Sequence, residues 1–333
     1  MQKIRFSIVG YGNIGRRHAV QIMNNEHAHL VAVCDVNDAV QATLPDGVQY
    51  YSSVEDMLSA GGVDVVCVCT PNYLHEPHTI AVLDAGMHAV VEKPMALSVS
   101  ECDNMIAAAQ RNNRKIFAVK QNRYNPPVQE VKKLIGSGRL GKVFMVDVNC
   151  FWNRGDAYYA GSDWRGSKQR DGGCLFTQFS HFVDILYYLN GIVETATGVV
   201  SNYAHKHNTE VEDTGSFVMR AGNGAIVNFS FTTCSYNRNM EGSITIFAEK
   251  GTVKIGGQYL NTIEYQQMEG EELPPINITA KSNDYGLYQG SMSNHDKVIQ
   301  NVVDVLINGH TIMTSAEEGR EVVRIIELMY AGC

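Results

Sequence analysis

The chain has 333 residues, 44 % hydrophobic and 19 % charged. That is enough for roughly two ordinary globular domains and argues against disorder as the main state. The net charge is −8, from 27 basic and 35 acidic residues with no Lys/Arg tract, which disfavours a general nucleic-acid or polyanion binder.

The first 120 residues alternate strand and helix signals. Apolar runs lie at Lys3–Val9, Leu30–Cys34, Val63–Cys69, Met87–Val91 and Lys115–Val119. Helical sequence covers Asn13–Asn24, and Ser52-Ser53-Val54-Glu55 and Ser98-Val99-Ser100-Glu101 fit capping boxes that open further helices. Near-continuous apolar strands separated by helices predict a doubly wound parallel sheet covered on both faces. The first run is short, broken by Arg5 and followed by glycines rather than a cleavage site. No run approaches the ~20 apolar residues of a membrane helix, so no membrane partner and a cytoplasmic location are expected.

The pattern changes near Lys120–Asn125, just before Pro126-Pro127. From Lys142 to Trp152, Phe144, Val146, Val148, Cys150 and Trp152 alternate with Asp147 and Asn149, as in a half-buried antiparallel strand. Further strands are expected at Val193–Tyr203, Gly215–Arg220, Ala225–Cys234, Ile244–Ala248 and Thr252–Ile255, with hairpin turns at Gly222-Asn223-Gly224 and Glu249-Lys250-Gly251. Helices are expected at Leu175–Leu189, Asp296–Ile307 and Ser315–Tyr330. The division read from this is an α/β domain, 1–122, and an α+β domain, 123–333, built on a large, mostly antiparallel open sheet. The eight cysteines, Cys34, Cys67, Cys69, Cys102, Cys150, Cys174, Cys234 and Cys333, read as scattered cytosolic thiols. Cys67-x-Cys69 lacks a second pair at zinc spacing and reads as buried thiols, and no metal site is expected.

Gly10-Tyr11-Gly12-Asn13-Ile14-Gly15 follows the first strand and opens the first helix. The three glycines suit a tight turn, close approach of a pyrophosphate, and helix–strand packing. The first N–H groups of the helix, at Asn13 and Ile14, would meet the phosphates. Asp35 stands 20 residues past Gly15, at the end of the second strand. Its carboxylate would accept from the adenosine ribose and repel a 2′-phosphate, so the cofactor expected on this Rossmann domain is NAD rather than NADP. Thr70-Pro71-Asn72 and Glu92-Lys93-Pro94 follow later strands, where loops of an open parallel sheet line the ligand crevice. His75 and His78 read as cofactor contacts or helix caps rather than metal ligands.

The glycine turn, Glu92-Lys93-Pro94 and a helix bearing His181 ahead of an antiparallel sheet resemble the Gfo/Idh/MocA oxidoreductase family over nearly the whole length. The resemblance implies that Lys93 contacts substrate and nicotinamide and that His181 lies by the oxidised hydroxyl. A narrower set of matches is Val119-Lys120-Gln121-Asn122-Arg123, Val146 to Trp152, Trp164-Arg165-Gly166, Asp171-Gly172-Gly173, Gln178-Phe179-Ser180-His181, Val211 to Gly215 and Glu241 to Ile246. These are similar to the UDP-N-acetyl-glucosaminuronate 3-dehydrogenases of bacterial surface-polysaccharide synthesis. The likeness implies oxidation of a sugar 3-hydroxyl to a ketone, a nucleotide-sugar substrate, and Gln121, Trp164 and Arg165 beside the cofactor. It also implies a homo-dimer or homo-tetramer, and 2-oxoglutarate as a possible second substrate that reoxidises NADH in place. Relatives tend to continue past the helix that ends at Ala331-Gly332-Cys333.

The chemistry is consistent with those residues. Removing a hydride from a secondary alcohol requires a base within about 3 Å of the hydroxyl. Lys93 is the expected acid/base, because a desolvated Lys loses basicity. His181 would orient the hydroxyl or share the proton. On one continuous helix, His181 would share a face with Gln178, Thr177 and Asp184. Many family members carry an Asp where this chain has Thr177, which shifts weight from His181 to Lys93. Arg123, Arg154, Arg165, Lys168 and Arg170 are candidates for the carboxylate and diphosphate. Trp152, Tyr158, Tyr159 and Trp164 are candidates for the sugar or uracil, and Asn122 and Gln178 for hydroxyl and amide groups. Three alternatives stay open: a dehydrogenase of a free sugar or cyclitol, an NAD-dependent glycosidase with no net NADH, and a non-catalytic NAD-binding sensor.

Overall fold

The computed structural model describes residues 3–276, 282–284, 286 and 289–333. In chain order the elements are β1 (Ile4–Val9), α1 (Asn13–Asn24), β2 (Ala28–Cys34), β3 (Gln49–Tyr51), α2 (Val54–Ala60), β4 (Val65–Val68), α3 (His75–Asp84), β5 (His88–Val91), α4 (Val99–Arg111) and β6 (Ile116–Ala118). Then come α5 (Pro126–Gly136), β7 (Val143–Phe151), α6 (Asp156–Tyr159), α7 (Cys174–Thr177), α8 (Ser180–Asn190), β8 (Val193–Ser201), β9 (Thr214–Ala221) and β10 (Ile226–Thr232). The last are β11 (Glu241–Ala248), β12 (Gly251–Gly256), β13 (Thr262–Met268), β14 (Ser282–Asp284), β15 (Gln289–Met292), α9 (His295–Asn308) and α10 (Ala316–Ala331).

The chain divides into two units. One comprises Met1–Lys120 with His295–Val323, the other Gln121–Asn294 with Arg324–Cys333. The expected division at 122/123 therefore needs one correction. Residues 295–323 belong with the N-terminal unit, because α9 packs on α1.

In the first unit the sheet order is β3-β2-β1-β4-β5-β6, with every neighbouring pair parallel. β4 and β6 are buried at every position, as expected of strands covered on both faces. All five expected strands are present. The three-residue edge strand β3 was not anticipated, being too short and polar to carry a pattern. Ser98 caps α4 by accepting the Glu101 N–H, while the Glu101 carboxylate accepts the Leu97 N–H. The other cap is Ser53 rather than Ser52, and it accepts the Asp56 N–H.

The second unit carries a seven-stranded sheet, β13-β12-β11-β7-β10-β9-β8, in which only β7 and β10 pair in parallel. Its buried face includes Val146, Val148, Phe217, Phe229, Phe231, Ile244 and Ile246. Trp152, Phe179, Phe182 and Phe231 pack together as part of the same core. The opposite face leaves Val199, Val218, Ile226 and Phe247 exposed.

Pro126-Pro127, just past the expected boundary, opens α5, because Pro suits the first helical turn, where its missing N–H is not needed. Two expectations fail here. Phe144 is exposed, since the register slips opposite Phe247/Ala248 and takes it out of the alternation. The helix expected over Leu175–Leu189 is two helices. At the break the Phe179 N–H reaches back to the Cys174 carbonyl, a wide turn that interrupts the regular ladder. Thr177 and His181 are thus on different helices, and the shared helical face is lost. Among the described residues no helix is long and apolar enough to cross a membrane.

Candidate active site

The N-terminal unit builds a nucleotide cradle. Gly10 has φ +89°, and a Cβ there would stand 2.8 Å from the Cys69 carbonyl oxygen. A Cβ on Gly15 would collide with the Gly10 carbonyl, whereas one on Gly12 would meet no described atom within 4 Å. Two glycines are therefore required by the protein itself, and the third faces open space. The first intrahelical bond of α1 runs from the Arg16 N–H to the Gly12 carbonyl at 3.0 Å. The N–H groups of Asn13 and Ile14 precede it, and no side chain caps the helix. These donors suit a pyrophosphate.

Asp35 is held against this turn. Its Oδ2 accepts the Tyr11 N–H at 2.6 Å and its Oδ1 the Asn37 N–H at 2.9 Å. Each oxygen keeps a second acceptor site for a ribose hydroxyl. Thr70, Pro71 and Asn72 follow β4 closely, and Asn72 is buried. Neither histidine caps α3 through its side chain. His78 Nδ1 lies 3.3 Å from Thr70 Oγ1. Buried His75 sets Nδ1 2.6 Å from the Pro94 carbonyl and Nε2 2.9 Å from the Thr70 carbonyl. His75 lies between two loop carbonyls, and the neutral ring can donate to one of them. Burial lowers its pKa, despite the two carbonyls.

Glu92 is buried beneath Lys93. Its Oε2 accepts the Lys93 N–H at 3.0 Å, and its Oε1 lies 2.8 Å from His18 Nε2. His295 Nε2 approaches the same oxygen at 3.6 Å. Burial opposes the His18 imidazolium, but Cys67 and the Glu92 carboxylate outweigh it and push its pKa up to about 10. Burial also opposes the Glu92 anion, yet the two histidines hold it well below the usual carboxylate range. His295 is lowered, by burial first. The cluster therefore holds one cation, one anion and one neutral imidazole. Lys93 itself is partly exposed.

The second unit gathers a different set. Asn122 is 1 % exposed, and neither end of its carboxamide has a hydrogen-bond partner among the described residues. Gln121 donates from Nε2 to Ser291 Oγ at 2.8 Å, and that hydroxyl lies 3.5 Å from His181 Nε2. Gln178 donates to the Tyr158 hydroxyl at 2.9 Å, and its own oxygen has no described partner. Arg165 lies over the Tyr158 ring at 4.5 Å and the Trp164 ring at 5.6 Å. Thr177 donates to Asp171, whose other oxygen accepts the Gly166 N–H at 2.6 Å. Thr177 is thus tied into the loop.

Two expected ligand contacts are core instead. Arg123 is fully buried, with Nε 3.1 Å from each oxygen of Asp184 and Nη2 2.8 Å from one, and it lies over Tyr188. Asp184 answers the guanidinium charge within the core. Trp152 packs on Phe182 and Tyr259 and donates to the Gln258 carbonyl at 3.1 Å. Sequence reasoning missed His18, His295 and Ser291. A lone His on an apolar helix face reads as core, and Ser291 lies on a four-residue strand with no motif.

Two clusters bring His, Cys or carboxylate donors within 4.8 Å: His18, Glu92 and His295, and His205, Asp213 and Cys234. The Asp213 carboxylate already accepts the Tyr203 and Ala204 N–H groups, and Glu92 is engaged as described. Hydrogen bonding within the protein accounts for both carboxylates.

Residues 4–120 match the model of an oxidoreductase family with an NAD-binding Rossmann fold, and residues 128–254 match the GFO/IDH/MocA C-terminal domain. The structure of the WlbA dehydrogenase from Bordetella pertussis, in complex with NADH and UDP-GlcNAcA, superposes with a TM-score of 0.89 at 35 % identity. The match covers 99 % of this chain and 96 % of that one. The WlbA enzyme from Chromobacterium violaceum, also with NADH and UDP-GlcNAcA, gives 0.89 at 33 % identity over 100 % and 94 %. Glucose-6-phosphate 3-dehydrogenase from Bacillus subtilis is 26 % identical over 76 % of this chain and 74 % of its own length.

Proposed function

We propose that this chain, which belongs to the Gfo/Idh/MocA family of NAD-binding oxidoreductases, oxidises the 3-hydroxyl of a UDP-N-acetyl-hexosaminuronic acid to the 3-keto sugar. The observation that carries the reading is the end-to-end likeness to two dehydrogenases captured with NADH and UDP-GlcNAcA. Oxidised NAD supplies the hydride acceptor. The carbinol carbon loses its hydride, the hydroxyl proton passes to a protein base, and the C–O bond becomes a carbonyl. Lys93 is that base or the group that stabilises the alkoxide, and His181, steadied by Ser291, orients the hydroxyl. The amides of Asn122 and Gln178 are in the right chemical state for sugar hydroxyl and acetamido groups, being buried with unmet capacity. Arg165, with Trp164, is assigned to an anionic or nicotinamide-proximal contact. The exposed face of the second sheet is assigned to contact with another copy of the chain.

A second reading, a dehydrogenase of a free or phosphorylated sugar, is favoured by the glucose-6-phosphate 3-dehydrogenase relative. One experiment separates them. The protein is incubated with UDP-N-acetyl-glucosaminuronic acid, with and without 2-oxoglutarate, and the sugar is analysed by mass spectrometry. Loss of two hydrogens, abolished by Lys93→Ala, is the expected result, and dependence on 2-oxoglutarate would show NADH reoxidised in place. An unchanged sugar, with folded protein that binds NAD, overturns the UDP-uronate assignment.

A further inference from the structure

Glu92 and Lys93 share a peptide bond, yet their environments differ sharply. The Glu92 carboxylate is 6 % exposed and the His18 and His295 side chains 0 % and 1 %. A lone carboxylate so deeply buried would take up a proton rather than stay charged. His18 supplies the countercharge at 2.8 Å. As a device for stability alone the arrangement is poor, because apolar side chains of similar volume often hold a core as well as a buried ion pair does. What the ion pair does, and apolar side chains would not, is accept the Lys93 N–H and set the charge beside it.

We propose that the buried His18–Glu92 pair is a positioning device for Lys93, fixing its backbone through Glu92 Oε2 and balancing the charge next to its ammonium, with His295 as a neutral third member. The inference rests on the reading of Lys93 as the acid/base. His18 lies one turn beyond Gly15 on the helix that opens at the nucleotide cradle. The pair therefore links α1, whose N-terminus suits the pyrophosphate, to the loop that bears Lys93.

The electrostatic consequence has a sign. Glu92 is the member of the pair tied to Lys93, accepting its backbone N–H at 3.0 Å, so the anion rather than the cation is assigned to the Lys93 side. The other groups that interact with the cluster are Cys67 in β4, Cys69 just after it, Arg17 in α1, His75 in α3 and His295 in α9, and of these His75 also feels the Lys93 charge. Burial keeps the Cys69 thiol protonated and His75 and His295 neutral. Replacing His18 by Gln preserves a donor to Glu92 but removes the balancing cation, so Lys93 should hold its proton more tightly. Replacing Glu92 by Gln preserves an acceptor for the Lys93 N–H but removes the anion, so Lys93 should release its proton more readily.

The test is the apparent pKa of Lys93 in the NAD-loaded protein, read by trace acetylation across pH and peptide mass spectrometry. The expected shifts are roughly one pH unit, upward in His18→Gln and downward in Glu92→Gln, with His295→Asn near the wild-type value. Turnover should fall about tenfold in His18→Gln and Glu92→Gln, while the NAD dissociation constant stays within about twofold. If His18→Gln does not fold, Glu92→Gln and His295→Asn still decide the matter. Shifts in the same direction, or none, would overturn the proposal, since a purely structural pair has no reason to move Lys93 in opposite senses. Lys93→Ala in the same preparation separates the two claims. Retained turnover overturns both the role of Lys93 and its positioning, whereas lost turnover with unmoved pKa values overturns positioning alone.

Discussion

The two units differ in how they use the buried polar side chains of their candidate sites, although each also buries atoms with no described partner, such as Nδ1 of His18 and of His295 in the first. In the N-terminal unit Asp35 accepts two backbone N–H groups, His75 reaches two carbonyls, and Glu92 meets His18 and the Lys93 N–H. In the second unit Asn122 is buried with both ends of its amide unmet, and Gln121 and Gln178 each bond through nitrogen while the oxygen lacks a described partner. The contrast matches what each must recognise. A dinucleotide is met by a backbone shape that side chains hold in place from behind. On the reading proposed above, a sugar is met by side-chain amides whose capacity the described residues do not use up.

The contrast can be broken most sharply at Lys93. Lys93→Ala should lower kcat by about 10²–10⁴-fold, the range for losing a general acid/base, with NAD affinity by calorimetry nearly unchanged. A parallel loss of NAD affinity would mean that Lys93 belongs to the cradle. Next comes Arg123→Ala, which leaves Asp184 buried and alone. It should cost about 3–5 kcal/mol of stability in urea unfolding. Arg165→Ala should instead spare stability and raise KM for the nucleotide sugar. Equal stability losses would erase the distinction between core and ligand arginines.

A smaller effect is expected at Asn122. Asn122→Ala should reduce kcat/KM about tenfold, the loss of a hydrogen bond worth about 1–2 kcal/mol. The thermal midpoint should not fall, since neither end of that amide has a hydrogen-bond partner among the described residues. A clear drop would place Asn122 among the structural groups and weaken the comparison. The smallest effect concerns pH. His18 has a folded pKa raised to about 10, above the usual 6.5 of histidine. Its contribution to stability is full below pH 6.5 and is lost as pH rises towards 10. Glu92 has the opposite sign, contributing above its unfolded value near 4.3 and losing that contribution only in stronger acid. Thermal midpoints measured from pH 6.5 to 10 should therefore decline less steeply in His18→Gln than in the wild type.

Much of the fold was legible because apolar period and turn chemistry are local. The five buried strands of the first sheet and the hairpins at Gly222–Gly224 and Glu249-Lys250 follow from such patterns. The glycine turn was legible for the same reason, since two of its glycines answer to steric contact within the fold. What failed depended on partners distant in sequence. Nothing near Arg123 announces that Asp184, 61 positions on, will enclose it. Nothing near Trp152 distinguishes a pocket wall from a core ring. His18 and His295 stand 277 positions apart (295 − 18) and meet edge to edge at 5.3 Å. The break between Thr177 and His181 was hidden because both halves are good helical sequence. Only the wide turn at Phe179 separates them.

The discontinuity of the N-terminal unit bears on the order in which a ribosome delivers its parts. β1 to β6 leave the exit tunnel first, but α9 follows only after about 170 further residues. At typical elongation rates that interval is on the order of ten to thirty seconds. Until it ends, α1 lacks the helix that packs on it, and Glu92 has one of its two histidines. The nucleotide cradle can take shape early, whereas the surroundings of Lys93 are complete only once α9 has emerged. A nascent chain would thus form its cofactor cradle before Glu92, behind Lys93, has both of its histidines.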